Sequence, residues 1–115
     1  MSKAKAKVTP GICGFSTRVQ VESDDSYQVT VSLESNCEKV QAYGNALSDL
    51  GPLSVFDELR KGNDGLILGT PQQYLKGCCA ACVTPAGVFK AMQVASGLAL
   101  PAPVAIDLEL VGEES

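Results

Sequence analysis

The apolar positions of this chain recur with two periods, and the switches between them mark the elements. From Phe15 they fall on every second residue through Thr17, Val19 and Val21. After Ser23-Asp24-Asp25-Ser26 they do so again through Tyr27, Val29, Val31 and Leu33. Two alternating runs around a polar break predict a β-hairpin. Both apolar sets are odd-numbered, and opposed residues of an antiparallel pair share a face. A turn centred near Asp25 therefore sets Val21 against Val29 and Val19 against Val31. Carried outward, that register brings Cys13 opposite Cys37. A looser alternation through Ala4, Ala6 and Val8 predicts one more short strand, closed by Pro10-Gly11 and the glycine-bounded turn of residues 11–14.

The period then lengthens. Val40, Tyr43, Leu47 and Leu50 recur at helical spacing, Ser35 and Glu38 stand at capping-box spacing before them, and Gly51-Pro52 stops the run. Residues 52–61 predict a second short helix with Leu53, Phe56 and Leu59 inward. A loop at 62–65 and a helical turn from Thr70-Pro71 to Leu75 follow. Thr84-Pro85 is a strong helix start, and that helix buries Val88, Met92 and Ala95 with Phe89 beside them until Gly97 and Pro101 end it. Val104, Ile106, Leu108 and Leu110 alternate once more and predict a last strand joining the sheet. The sum is an α+β, two-layer sandwich: a three- or four-stranded, mainly antiparallel sheet with an N-terminal hairpin and helices on one face. Alternation in every strand leaves the other face wet, or covered by a second copy in a homodimer.

Composition narrows the function more than the fold. The chain has 115 residues, enough for one domain; residues 1–7 and 112–115 read as flexible ends. The start is basic with no apolar segment behind it, so it is not a signal peptide, and no apolar run approaches the roughly 18 residues of a membrane span. The expected location is cytoplasmic. A net charge of −4 argues against nucleic acid as a partner. His is absent. That excludes Ser-His-Asp and Cys-His nucleophile pairs and any zinc site using imidazole, and it inclines the reading away from an enzyme.

Five cysteines remain, confined to three segments: Cys13, Cys37 and Cys78-Cys79-Ala80-Ala81-Cys82. In a reducing compartment such thiols are metal ligands or redox groups rather than structural disulfides. The hairpin register joins Cys13 to Cys37. Cys37 opens one helix and Cys82 precedes another, where the helix dipole favours a thiolate. Cys79-x-x-Cys82 spacing lets two sulfurs turn toward one metal. The expected site is therefore Cys13, Cys37, Cys79 and Cys82, with Cys78 as a substitute for Cys79, holding zinc or an iron–sulfur cluster. The bland alternative is that each cysteine is a small buried hydrophobe. Two rival functions stand beside metal binding: a thiol redox protein using the CxxC dithiol, and a non-catalytic dimeric interaction module with structural cysteines. Asp24-Asp25 reads as a solvated turn, residues 63–65 lack the further ligands of a calcium loop, and residues 11–14 lack the Lys and helix of a phosphate loop.

Four blocks add a resemblance: Gly-Ile-Cys-Gly-Phe at 11–15, Glu-Ser-Asn-Cys at 34–37, Cys-Ala-Ala-Cys-Val-Thr-Pro at 79–85 and Ala-Ser-Gly-Leu-Ala-Leu-Pro at 95–101. Together they resemble a family of small uncharacterised cysteine-containing proteins from anaerobic prokaryotes, whose blocks read roughly AGICGF, ESDCP, HxACPVP and AGLALP. The resemblance implies a cytosolic, anaerobic setting and no established activity. It matches Cys13, Cys37 and Cys82 to family cysteines and sets Cys79 where relatives carry His, an exchange that a metal ligand tolerates. The chain departs from the pattern in Val83-Thr84-Pro85 after Cys82 and in the added Cys78, which leaves the fourth ligand open between Cys78 and Cys79.

Overall fold

The computed structural model describes residues 2–112, except for the side chain of Cys78. It is an α+β sandwich. Four antiparallel strands, β1 (Ser2–Val8), β2 (Thr17–Ser23), β3 (Gln28–Ser35) and β4 (Leu53–Ser54), lie in the order β1-β2-β3-β4. Helix α1 (Glu38–Asp49) packs on β3, and α5 (Thr84–Ala95) covers β1 and β2. Between them the chain forms α2 (Val55–Lys61) and the single-turn helices α3 (Leu66–Gly69) and α4 (Pro71–Tyr74). The short strand expected through Ala4, Ala6 and Val8 is edge strand β1, which takes in residues 2–7 of the end that reads as flexible; residues 113–115 of the expected tail lie outside the described residues.

The odd-numbered face of the hairpin is the buried one, as its alternation requires: Val19, Val21, Val29, Val31 and Leu33 meet Val40, Tyr43 and Leu47 from α1 and Val88, Ala91 and Met92 from α5. Two glycines set how closely the layers approach. A Cβ on Gly44 would collide with Leu33, and one on Gly87 would stand 2.7 Å from a Val8 methyl. Among the described residues no helix is long and apolar enough to cross a membrane.

Four expectations are corrected. The hairpin register is two residues further along β3, with Val21 opposite Val31 and Val19 opposite Leu33. The cause is the turn. The Asp24 carboxylate accepts from the Ser26 and Gln28 N–H groups at 2.8 and 3.0 Å, and Tyr27 takes a left-handed conformation (φ 61°). A three-residue loop results, ending in a left-handed residue, in place of a turn centred on Asp25. The shift is even, so the buried face is kept, but Cys13 no longer opposes Cys37. Second, Ser35 does not cap α1: Cys37 is the N-cap residue, and the Ser35 hydroxyl accepts from the Cys37 N–H at 3.1 Å instead. Third, Leu53 leaves the expected second helix to pair with Val29 in β4, so α2 starts one turn later, capped by Ser54. Its phase turns Val55 and Glu58 inward and leaves Phe56 and Leu59 exposed. Finally, residues 104–110 form no strand. Their alternation encodes the capacity to pair, but the chain reaches them through Pro101 and Pro103, which have no N–H to donate to a neighbouring strand.

Candidate functional site

The site lies at the end of the sheet where β1 hands over to β2 and β3 to α1. On one side is the loop of residues 9–16. A turn closed by the Gly14 N–H on the Gly11 carbonyl (3.1 Å) carries Cys13, whose side chain is exposed. On the second side is the β3–α1 corner, held by a polar network. Thr17, fully buried, donates its hydroxyl to Ser35 Oγ at 2.9 Å, and the Cys37 N–H donates to the same oxygen. Gln41 accepts from the Ser35 N–H and donates to the Leu33 carbonyl; Asn36 accepts from the Ser16 N–H. These bonds fix Cys37 at the helix N-terminus with its thiol half-buried.

On the third side is the CxxC turn. The Cys79 N–H donates to the Lys76 carbonyl and the Cys82 N–H to the Cys79 carbonyl, at 3.2 and 3.1 Å. Both thiols are half-buried against the core. The Cys82 thiol donates to the buried Thr84 hydroxyl at 3.3 Å.

The four expected ligands, Cys13, Cys37, Cys79 and Cys82, all line one cavity of about 140 Å³. Apolar groups, among them Phe15, Val40 and Leu75, supply most of the remaining wall. The four thiols are free, and no disulfide joins them. As they stand, no three Cys, Asp or Glu side chains among the described residues are close enough to hold one ion together. Of the Cys78/Cys79 pair, Cys79 lines the cavity, and the Cys78 side chain lies outside the described residues.

Sequence reasoning missed three contributors. Leu75 was read only as the end of a helical turn, and it closes the cavity. Thr84 was read as a helix start, and its hydroxyl is the partner of Cys82. The third is a buried polar lock behind the site. Glu58, only 2% exposed, accepts from the N–H groups of Leu66 and Ile67 at 3.2 and 2.7 Å. Tyr43 donates to the Ile67 carbonyl at 2.8 Å. Burial above all, and then the charges of Glu58 and Cys82, hold the Tyr43 hydroxyl protonated well above the ordinary tyrosine range. A Glu beside Leu59 and one helical turn after Val55 is the available signal for Glu58, but it is shared by many solvated glutamates.

No curated protein and no solved structure matches the chain. The model of a family of unknown function, DUF6951, matches residues 4–108, spanning β1 through the C-terminal segment with all three cysteine-bearing regions, and the chain belongs to that family.

Proposed function

We propose that this is a metal-binding protein whose site is the cavity among Cys13, Cys37, Cys79 and Cys82, with an iron–sulfur cluster as its cargo or resident group. The observation that carries the reading is that four cysteines from three separate segments line a single cavity. Buried cysteines acting only as small hydrophobes have no reason to converge. Zinc needs four sulfurs drawn in to about 2.3 Å from one ion. A cluster brings its own sulfides and can span thiols that stand further apart. The apolar wall limits water, and backbone hydrogen bonds hold the CxxC turn. The block resemblance to proteins of anaerobic prokaryotes supports iron, and free thiols suit a reducing cytoplasm. Electron transfer or cluster handling is the role that follows from a cluster at this site.

The test is anaerobic purification followed by metal and sulfide analysis with an absorption spectrum. Iron with matching acid-labile sulfide, lost in Cys37→Ser and Cys82→Ser, is the expected result. One zinc in a colourless protein would keep the site and replace the cargo. A metal-free protein whose mass falls reversibly by two hydrogens at Cys79 and Cys82 would sink metal binding in favour of thiol redox chemistry.

A further inference from the structure

The chain after α5 holds the largest unpaired apolar alternation in the molecule. Val104, Ile106, Leu108 and Leu110 are 63%, 64%, 91% and 98% exposed. Asp107 and Glu109 stand between the last three. At the other end of the chain, β1 has one edge paired with β2 and the other edge free. Its inward residues are Ala4, Ala6 and Val8, and its outward ones are Lys3, Lys5 and Lys7, all three exposed. Beside it runs a groove of about 500 Å³, with β1 on one side, α5 as its floor and residues 99–104 as its far wall.

The two segments are complementary at five opposed positions, with Lys7 left facing Ala105. Laid antiparallel, Lys3 opposes Glu109 and Lys5 opposes Asp107 on the outer face. Ala4, Ala6 and Val8 oppose Leu108, Ile106 and Val104 on the inner face, above the groove. An antiparallel addition also continues the sense of the whole sheet. The lysines make this edge selective. Two β1 edges meeting each other would set Lys against Lys, which discourages indiscriminate edge pairing, whereas an acidic strand is favoured.

The chain's own segment is poorly placed to be the occupant. Gly87 of α5 lies against Val8, and Ala95-Ser96-Gly97 lie near Ser2, so α5 runs antiparallel to β1. The chain leaving α5 at the Ser2 end then passes the groove as residues 99–104, with prolines at 101 and 103. The alternating residues begin only as that wall ends, and beyond Val104 they line no part of the groove. The molecule is correspondingly long, 56 Å against 27 and 25 Å.

We infer that the free edge of β1 receives residues 104–110 of a second copy, so that two chains exchange C-terminal strands in a symmetric dimer. Each exchange adds a fifth antiparallel strand and covers the apolar residues the isolated chain leaves exposed. Because the contact is isologous, each chain gives one strand and receives one.

Sedimentation of the full chain over a concentration series tests this. A dimer is expected. Ile106→Pro removes a donor from the middle of the exchanged strand and is expected to give monomer; the residue is outside the core, and unchanged circular dichroism will report an intact fold. Lys5→Glu is expected to weaken the dimer about tenfold, since it acts twice in the symmetric contact, and Lys5→Glu with Asp107→Lys to restore it. A full chain that is monomeric at every concentration overturns the exchange. In that case, slow amide exchange at 104–110 would show the strand closing on its own β1. A dimer indifferent to Ile106→Pro overturns it as well, and points to the open sheet face.

Discussion

Two polar clusters flank Tyr43, and they are built on opposite terms. The Glu58 lock is closed: its carboxylate meets two backbone N–H groups, the Tyr43 hydroxyl meets a carbonyl, and among the described residues no buried side-chain nitrogen or oxygen lacks a partner. The cysteine cluster is open: its thiols are half-buried or exposed, they border a cavity, and among the described residues one thiol hydrogen bond is made, from Cys82 to Thr84. A closed buried network has its bonding capacity spent on the fold. An open one, with donors converging on a space, keeps that capacity for a ligand. The difference separates a cluster committed to the fold from the one proposed to bind metal.

The comparison breaks first at Glu58. Glu58→Ala leaves the Leu66 and Ile67 N–H groups buried without an acceptor and is expected to cost about 3 kcal/mol or more in urea unfolding. A loss below about 1 kcal/mol would mean the lock is not structural. Tyr43→Phe comes next, at about 1–2 kcal/mol, because it strips one donor from the Ile67 carbonyl. It also carries a pH signature. The fold favours the protonated hydroxyl, so this stability is whole below the unfolded tyrosine pKa of about 10 and falls as pH rises past it. Tyr43→Phe is expected to flatten that alkaline fall, measured as the difference between the two proteins' unfolding curves from neutral to alkaline pH.

On the open side the effects on the fold shrink and those on binding grow. Ser35→Ala takes the shared acceptor from Cys37 and Thr17 and is expected to cost about 1 kcal/mol, while weakening metal retention about tenfold, as loss of a supporting bond does. Competition with a chelator reads the second effect. Cys13→Ser, on the exposed loop, is expected to shift metal-free stability by no more than about 0.5 kcal/mol and still abolish stoichiometric metal. If it destabilises the metal-free chain as Glu58→Ala does, the distinction between the two clusters fails.

Much of this was legible from the chain. The odd-numbered hairpin face, the α1 stripe through Val40, Tyr43 and Leu47, and the Thr84-Pro85 start of α5 each follow from a local period or cap. The meeting of Cys13 with Cys37 was reached by a register that the Asp24–Tyr27 turn displaces; the two still share a cavity because both segments leave the same end of the sheet. Phe56 and Leu59 went the other way, since a two-residue strand at Leu53 reset the phase of α2.

The sequence by itself determined which residues face inward along the hairpin, α1 and α5, that His-dependent catalysis is absent, and which segments could bring thiols together. Those are consequences of period and composition, which act over a few residues. Only the tertiary structure decided that Glu58 is buried and satisfied, that Thr84 and Leu75 belong to the cysteine site, and that residues 104–110 stand apart from the sheet their pattern suits. Each of these depends on which distant backbone groups arrive beside a side chain, and alternation or helical spacing states a need for a partner without naming it.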